Sequence, residues 1–226
     1  MKAKKSNNKK ELVKIATDTG ISAGSSIIGS IIGLAVGGVP GSIIGSVVSP
    51  AISAGAKIIR GYFDRRKQRV ENITDTATLL AGLSQDKIVS DLETNAYKVD
   101  EMVKLLKTAT ESDKSLDGIF SALLANLFLS KDANEQDRID IFVDALHGLH
   151  DIHLKVLLCI DKASGVLGAS QISESVGIPE IELRSTVRML ELKGMIRDCE
   201  KIPIEWSLRE LGKAVVEFSK KGGSKI

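Results

Sequence analysis

The sequence contains few of the residues that build metal and redox centres. Only two of its 226 residues are cysteines, and aromatic residues make up only 4% of the chain. Cys159 and Cys199 lie 40 positions apart, which is not the spacing of a metal-binding pair. We interpret both as reduced thiols in a cytosolic domain.

Motifs of catalysis are also missing. No phosphate-binding glycine loop follows a strand pattern, and no Lys-Ser/Thr pair follows the glycine-rich run near the N-terminus. Neither cysteine belongs to a recognisable nucleophile motif with a nearby histidine. We therefore expect a protein that is not an enzyme and that has no catalytic residues, no metal and no cofactor.

Charged residues are absent from one long stretch, residues 21–56. Residues 1–70 as a whole hold 12 Lys/Arg against three Asp/Glu, a net charge of +9, whereas residues 71–226 hold 19 against 26, a net charge of −7. A basic front end beside an apolar run predicts an anionic membrane surface or a nucleic acid as neighbour. A cleaved signal peptide is not expected, because the run is more than twice the usual length.

Glycine recurs at every fourth position of this uncharged stretch. Residues four apart share one face of a helix, so the glycines predict a groove without side chains, into which another helix packs closely in lipid. Each interior glycine costs about 0.8–1 kcal/mol relative to alanine, so a regular series implies a packing requirement. The alternative is a buried hairpin in a soluble protein. The predicted helix-packing residues are Gly29, Gly33, Gly37, Gly41 and Gly45.

The uncharged stretch predicts two helical arms, residues 21–36 and 41–59, joined by the turn sequence GGVPG. Pro50 is well placed to restart a helix within the second arm. Arms of this length reach about 24–28 Å, just short of the ~30 Å hydrocarbon core, so we expect insertion to be conditional.

Basic residues flank both ends of the hairpin, which predicts that both termini are cytoplasmic. For the arginine cluster that follows the hairpin, the alternative is an ordinary solvated face. The predicted membrane-flanking residues are Lys57, Arg60, Arg65 and Arg66.

Helical periodicity continues through residues 64–149, with apolar residues at spacings of three and four. The segment LDGIFSALLANLFLS (116–130) is apolar nearly all round, which predicts a helix at the centre of a core. We expect a bundle of four or five helices without strands.

All three histidines fall in the segment HGLHDIH, as His147, His150 and His153. If Gly148 breaks the helix, they could converge on a metal ion. We favour a helix junction with partly exposed imidazoles, and we predict no metal site.

From residue 150 the pattern changes. DIHLKVLLCID predicts a helix, and ASQISESVGIPEIELRSTVRMLELKGMI predicts helix, turn, helix, glycine stop and strand. MIRDCEKIPIEWSL supplies two short strands around a charged tip, and RELGKAVVEFSKK a closing helix. This order, together with WSLRELGKAV, resembles a winged-helix domain over roughly residues 150–220. The resemblance implies a partner but not its class, because winged helices serve both DNA and proteins.

The second helix of this segment would be the recognition helix. It carries Arg184, Arg188 and Lys193, which could contact nucleic acid or a protein, but it begins with PEIE (179–182), which puts two carboxylates at the end that would enter the major groove. Residues 150–226 hold 12 basic and 11 acidic side chains, whereas dedicated DNA-binding modules are clearly basic. We favour protein docking or self-association over DNA.

The whole layout resembles uncharacterised bacterial two-span membrane effectors, including retron-associated proteins of phage defence, in which a glycine-rich hairpin precedes a helical domain. The resemblance rests on the hairpin and on RRKQRVENI, LLANLFLS and ALHGLHDIHLKVLLCI, and it supplies no site residues. It implies an abortive-infection effector at the bacterial inner membrane, whose partners are membrane lipid, further copies of itself and a protein bound by the winged helix. The alternative is a membrane-tethered or soluble winged-helix DNA-binding regulator.

The expected fold is therefore mainly α. Its predicted parts are a basic tail (1–20), a glycine-zipper hairpin in the membrane (21–62), a helical bundle (63–149), a winged helix with a small two-stranded wing (150–221) and a short tail (222–226).

Overall fold

The chain divides into two compact units. The first combines Met1–Thr110 with Leu124–Gln136, and the second combines Glu111–Leu123 with Asp137–Ile226. Both are mainly helical, and the second holds one small sheet. The computed structural model describes residues 23–36, 50–130, 133–163, 166–199 and 205–223.

The described part of the first unit is entirely α-helical. Its helices are α1 (Ala23–Val36), α2 (Pro50–Ala81), α3 (Gln85–Thr94), α4 (Ala96–Glu111), the C-terminal half of α5 (Asp117–Leu129) and the start of α6 (Ala133–Leu146). Helix α2 begins at the predicted proline, whose missing N–H is not needed in a first turn. Between α3 and α4, the Asn95 side chain accepts a hydrogen bond from Lys98 N at 3.2 Å and so caps α4.

Apolar residues at helical spacing form the core of the first unit. Helix α1 packs against α2 and α3. Helix α5 is buried along nearly its whole length, as its all-round apolar sequence predicts. The buried residues of the first unit include Val70, Ile73, Ala77, Ile88, Leu92, Met102, Leu105, Leu106, Ala109, Leu124 and Leu127.

One buried charge lies within this apolar core. Lys98 on α4 has a side chain only 4% exposed, and its Nζ lies 2.6 Å from Asp91 Oδ2 on α3. Nζ also donates a hydrogen bond to the carbonyl of Phe128, at 3.3 Å, in the last turn of α5. The last carbonyls of a helix have no partner within the helix, so Lys98 satisfies one of them while it neutralises Asp91.

The second unit combines helices with a three-stranded sheet. Its further elements are a 3₁₀ turn (Lys114–Leu116), α7 (Asp151–Lys162), β1 (Leu167–Gly168), α8 (Ala169–Val176), α9 (Glu180–Leu192), β2 (Ile196–Asp198), β3 (Glu205–Leu208) and α10 (Glu210–Lys221). Helix α7 packs against α8, α9, α10 and β3. Its buried side chains, Leu154, Val156, Leu157 and Ile160, make it the centre of this unit.

The sheet has three strands, in the order β1-β3-β2 and antiparallel throughout. The two predicted wing strands are β2 and β3, which pair antiparallel, but the prediction missed β1, which pairs Leu167 with Trp206 of the central strand. Two residues are too few for an alternating pattern to be visible in a sequence. Trp206 anchors the sheet to α9, since its indole Nε1 donates to Glu191 Oε1 at 2.8 Å.

Helix α10 packs through a glycine against the backbone that precedes β2. The backbone of Gly212 lies so near the carbonyl oxygen of Met195 that a Cβ would overlap it. The same oxygen accepts a hydrogen bond from Arg209 N at 2.8 Å. Gly212 is therefore required for close packing.

Half of the predicted membrane hairpin can be compared with the structure. The first arm is α1, which is 14 residues long, whereas Gly37, Gly41, Gly45 and the turn lie outside the described residues. Among the residues that are described, none of the helices is both long enough and apolar enough to span a membrane.

We predict that Asp91→Asn destabilises the first unit by about 1–3 kcal/mol, because it leaves the buried Lys98 ammonium without its counter-charge. Lys98→Met should cost less, because methionine fills the site and the carboxylate of Asp91, 44% exposed, is solvated by water. Hydrogen exchange of the amides in α4 and α5 measures both changes.

Lys67→Met is the matched control, because the ion pair of Lys67 with Glu71 is 3.7 Å long and exposed on both sides. Such a pair contributes about 0–1 kcal/mol, so exchange should be nearly unchanged. A larger loss in Lys98→Met than in Asp91→Asn would contradict this role of the buried charge.

Candidate functional site

Helix α1 has two different faces. Ile31, Ile32, Ala35 and Val36 are buried against the first unit. Gly29 and Gly33 lie on the other face, are exposed, and have no atom within 4 Å of the position that a Cβ would occupy. Among the described residues, no helix therefore packs closely against this part of the glycine series.

The basic residues that follow the hairpin differ in exposure and in whether they bond to other parts of the chain. Arg65 is exposed. Arg66 is half-buried, with its guanidinium carbon 4.9 Å from the centre of the Tyr62 ring and its Nη2 donating to the carbonyl of Thr110 at 3.3 Å. Lys57 and Arg60 lie on α2, and their side chains are outside the described set. Arg66 is thus tied to the end of α4, where a cation stabilises the helix dipole.

Helix α9 places two of its three predicted contact residues at the surface. Arg184 and Arg188 are exposed and form no hydrogen bond or ion pair with any described residue. Lys193 is instead engaged, because its Nζ donates to the carbonyl of Asp144 at 3.2 Å. Burial lowers the pKa of Lys193, an effect that nearby Asp144 partly offsets.

The exposed surface of α9 also carries large apolar side chains that the sequence reasoning did not single out. Ile181 is 80% exposed and Leu192 78% exposed, one at each end of the helix. The opposite face, formed by Leu183, Val187 and Leu190, is buried. The signal was present in the sequence, since Ile181 and Leu192 fall outside the stripe at 183, 187 and 190 that a single buried face explains.

The three histidines are at a helix junction. Gly148 has a φ of +75°, a conformation natural to glycine, and it separates α6 from α7. His147 and His150 are exposed, whereas His153 is only 7% exposed and its Nδ1 accepts a hydrogen bond from His150 N at 3.0 Å. The expectation of partly exposed imidazoles is therefore wrong for His153, which faces the buried side of α7.

Metal-binding side chains do not gather at this junction. His150 Nδ1 lies 3.9 Å from Asp113 Oδ2, and the ring centres of His150 and His153 are 5.9 Å apart. Within the described ranges, no group of three or more His, Cys, Asp or Glu residues is placed to hold a metal ion.

The junction is electrostatically asymmetric. Burial lowers the pKa of His153, and the neighbouring His150 and Lys193 lower it further, while a hydrogen bond from His150 opposes the shift. The hydrogen bond from the Ser115 backbone is the main cause that lowers the pKa of Asp113. At neutral pH, His153 is therefore uncharged and Asp113 ionised.

The two cysteines are free thiols, and both are half-buried. Cys199 follows β2, and its Sγ lies 3.5 Å from the hydroxyl of Ser207 on β3. Cys159 lies on α7.

We predict that the second unit loses stability as the pH falls below about 6.5, the pKa of an unfolded histidine. The unfolded chain then takes up a proton at His153 that the folded chain resists, so protonation favours unfolding. Asp113 does not contribute in this range, because it titrates at still lower pH. His153→Gln should flatten the stability curve between pH 7 and pH 5.5, as measured by urea unfolding followed by Trp206 fluorescence.

His147→Gln is the control, because it removes an exposed imidazole from the same junction. It should leave the pH dependence as in the wild type. Equal flattening by both variants would show that the dependence does not come from the buried ring.

Comparison of the chain with models of protein families, with curated proteins and with solved structures finds no match.

Proposed function

We propose that this protein is a non-enzymatic effector that inserts its N-terminal hairpin into the bacterial inner membrane and assembles there through the glycine faces. The outward position of Gly29 and Gly33 is the observation that carries the proposal. A helix that only has to bury one face against its own chain has no need of glycine on the other. A glycine face is what close helix pairing in lipid requires.

The buried face of α1 supports a stored state that precedes insertion. Its apolar side chains pack on α2 and α3, so the arm does not expose them to water before it reaches a membrane. Full burial of a large apolar side chain is worth about 1.5–3 kcal/mol, and lipid offers the same gain. Transfer from the protein to the membrane thus replaces one apolar environment with another, which suits a conditional switch.

In the inserted state, membrane lipid and further copies of the chain are the partners, and both termini stay in the cytoplasm. Arg65, with Lys57 and Arg60, would lie at the headgroup level, where each basic residue gains about 1 kcal/mol from anionic lipid. Arg66 has a different role, because its hydrogen bond to the carbonyl of Thr110 fastens the middle of α2 to the end of α4.

We infer that the second unit contains a winged helix that controls this transition. Support comes from the element order of residues 151–221 and from the sheet order β1-β3-β2, in which α9 is the recognition helix. Its first turn bears Glu180 and Glu182, and Lys193 is engaged within the chain. These features favour a protein partner over the DNA backbone.

The second candidate function is a winged-helix DNA-binding regulator that is anchored by the hairpin. The exposed, unpaired Arg184 and Arg188 favour it, because they lie on the helix that would enter the major groove. The two functions differ in whether α9 binds protein or DNA. They also differ in whether the hairpin perturbs the membrane or only anchors the chain to it.

We predict that Gly29→Leu combined with Gly33→Leu abolishes activity without unfolding the stored state, because both positions have open space around them. Leucine keeps α1 apolar enough to insert but prevents the close approach of a second helix. Depolarisation of cells that express the protein, followed with a voltage-sensitive dye, should slow by at least about tenfold, which corresponds to 1.4 kcal/mol of lost assembly energy.

The matched control replaces the same two glycines by alanine, whose methyl group only partly fills the groove, and should show an intermediate rate. Carbonate extraction should leave all three proteins in the membrane fraction. If the leucine variant depolarises cells as fast as the wild type, the hairpin is an anchor. If carbonate extracts the wild type from cells that it depolarises, the membrane function itself is wrong.

For the second candidate, we predict that the full chain binds duplex DNA only weakly and without useful specificity at physiological salt. Fluorescence anisotropy with labelled duplexes measures this. Sub-micromolar binding that weakens steeply with salt and is lost in Arg184→Ala with Arg188→Ala would establish the regulator instead.

A further inference from the structure

The exposed side of α9 forms a continuous line of four residues. Ile181, Ser185, Arg188 and Leu192 follow one another at spacings of four, three and four, and all four are exposed. We name this line the α9 seam. Its spacing repeats every seven residues, which is the pattern by which one helix packs along another.

The chemistry of the α9 seam changes along its length. Large apolar side chains stand at both ends, and the two central positions are polar. Ser185 is small and already satisfied, since its hydroxyl donates to the carbonyl of Glu182 at 2.8 Å. Arg188 has no bond to any described residue. A partner for this seam must therefore offer apolar groups at both ends, and a small or acidic group opposite the arginine.

A second copy of α9 meets these demands when the two helices run antiparallel. In the register that places Ile181 opposite Leu192 of the second copy, Ser185 lies opposite Arg188, and the small serine leaves room for the long side chain. The acidic first turn of each helix, with Glu182, then lies beside the basic half of the other, with Arg188. Antiparallel pairing also places the partial positive charge of each helix N-terminus near the partial negative charge of the other helix's C-terminus.

The same charges disfavour a parallel arrangement. It would place Arg188 directly against Arg188 of the second copy, and like charges at such a position destabilise a helix pair. A twofold axis perpendicular to the two helices relates the antiparallel copies, so both copies make the same contacts.

We propose that α9 is a homodimer surface, on which the α9 seam pairs antiparallel with the α9 seam of a second copy. The contact is weak by itself. Helix α9 has 13 residues, a length of about 20 Å, and one face of such a helix covers less than the ~800 Å² per partner of a standard interface. The pair therefore forms at high local concentration and separates on dilution.

The pairing is tested by cysteine cross-linking of full-length chains in which Cys159 and Cys199 are replaced by alanine. One tagged chain carries Ile181→Cys and a second, differently tagged chain carries Leu192→Cys. Co-expression followed by mild oxidation should link the two different chains to each other, while either chain expressed alone should give little product. Residues 181 and 192 are eleven positions apart, which is about 16 Å along the helix. No disulfide spans that distance.

Each other pattern overturns the proposal. Linkage of the Ile181→Cys chain to itself would indicate a parallel pair, and equal linkage in all mixtures would indicate random collision. Absence of any product would show that the seam does not self-associate. The readout does not depend on the glycine faces, so it stands or fails separately from the membrane function.

A second variant gives the same answer without cysteines. Leu192→Glu should raise the dimer dissociation constant at least about tenfold, measured by analytical ultracentrifugation in detergent of full chains that also carry Gly29→Leu and Gly33→Leu, so that the glycine faces do not contribute. Leu79→Glu is the matched control, because Leu79 is equally exposed, at 81%, on α2 of the first unit. Equal weakening by the two variants would refute a specific role for α9.

Discussion

The burial of helix α7 is the constraint on which the second unit depends. Helix α7 packs on three other helices and on the central strand, so the positions of Leu154, Val156, Leu157 and Ile160 have to be apolar. Its charged residues take the positions that remain partly or fully exposed. Two glycines shape the surroundings, because Gly148 lets the chain turn into α7 and Gly212 lets α10 approach the carbonyl of Met195. The three short strands add little core of their own, and they hold their places because Trp206 is fixed to α9.

The periodicity of apolar residues predicts the helices well where one face is buried. It fails where polar contacts determine where a helix begins or ends. The start of α2 at Pro50 and the burial of α5 follow from residue type alone. The break at Asn95 does not, because the apolar spacing of residues 86–110 runs straight through it. Strand β1 was missed because its two residues pair with residues that lie 37 and 39 positions away in the chain.

The candidate site residues also divide into those that helical spacing identifies and those that depend on contacts between distant parts of the chain. Arg184 and Arg188 could be identified from their place on a predicted helix. Helical spacing alone could not show that Lys193 bonds to a distant carbonyl, that His153 turns inward, or that Arg66 lies over Tyr62. Each of these contacts joins residues that the local pattern treats independently, so only the folded chain brings them together. The glycines of α1 are the opposite case, since the sequence marks them strongly and no described residue packs against them.

Those glycines have an effect on α1 before any assembly takes place. Each interior glycine lowers the stability of a helix by about 0.8–1 kcal/mol relative to alanine, and no atom of the described residues lies against Gly29 or Gly33 to offset this loss. On this basis α1 opens locally at a lower free energy than its buried isoleucines alone would set. In the function that we propose, the glycines that pair in lipid also reduce the free energy needed to release α1 from the first unit.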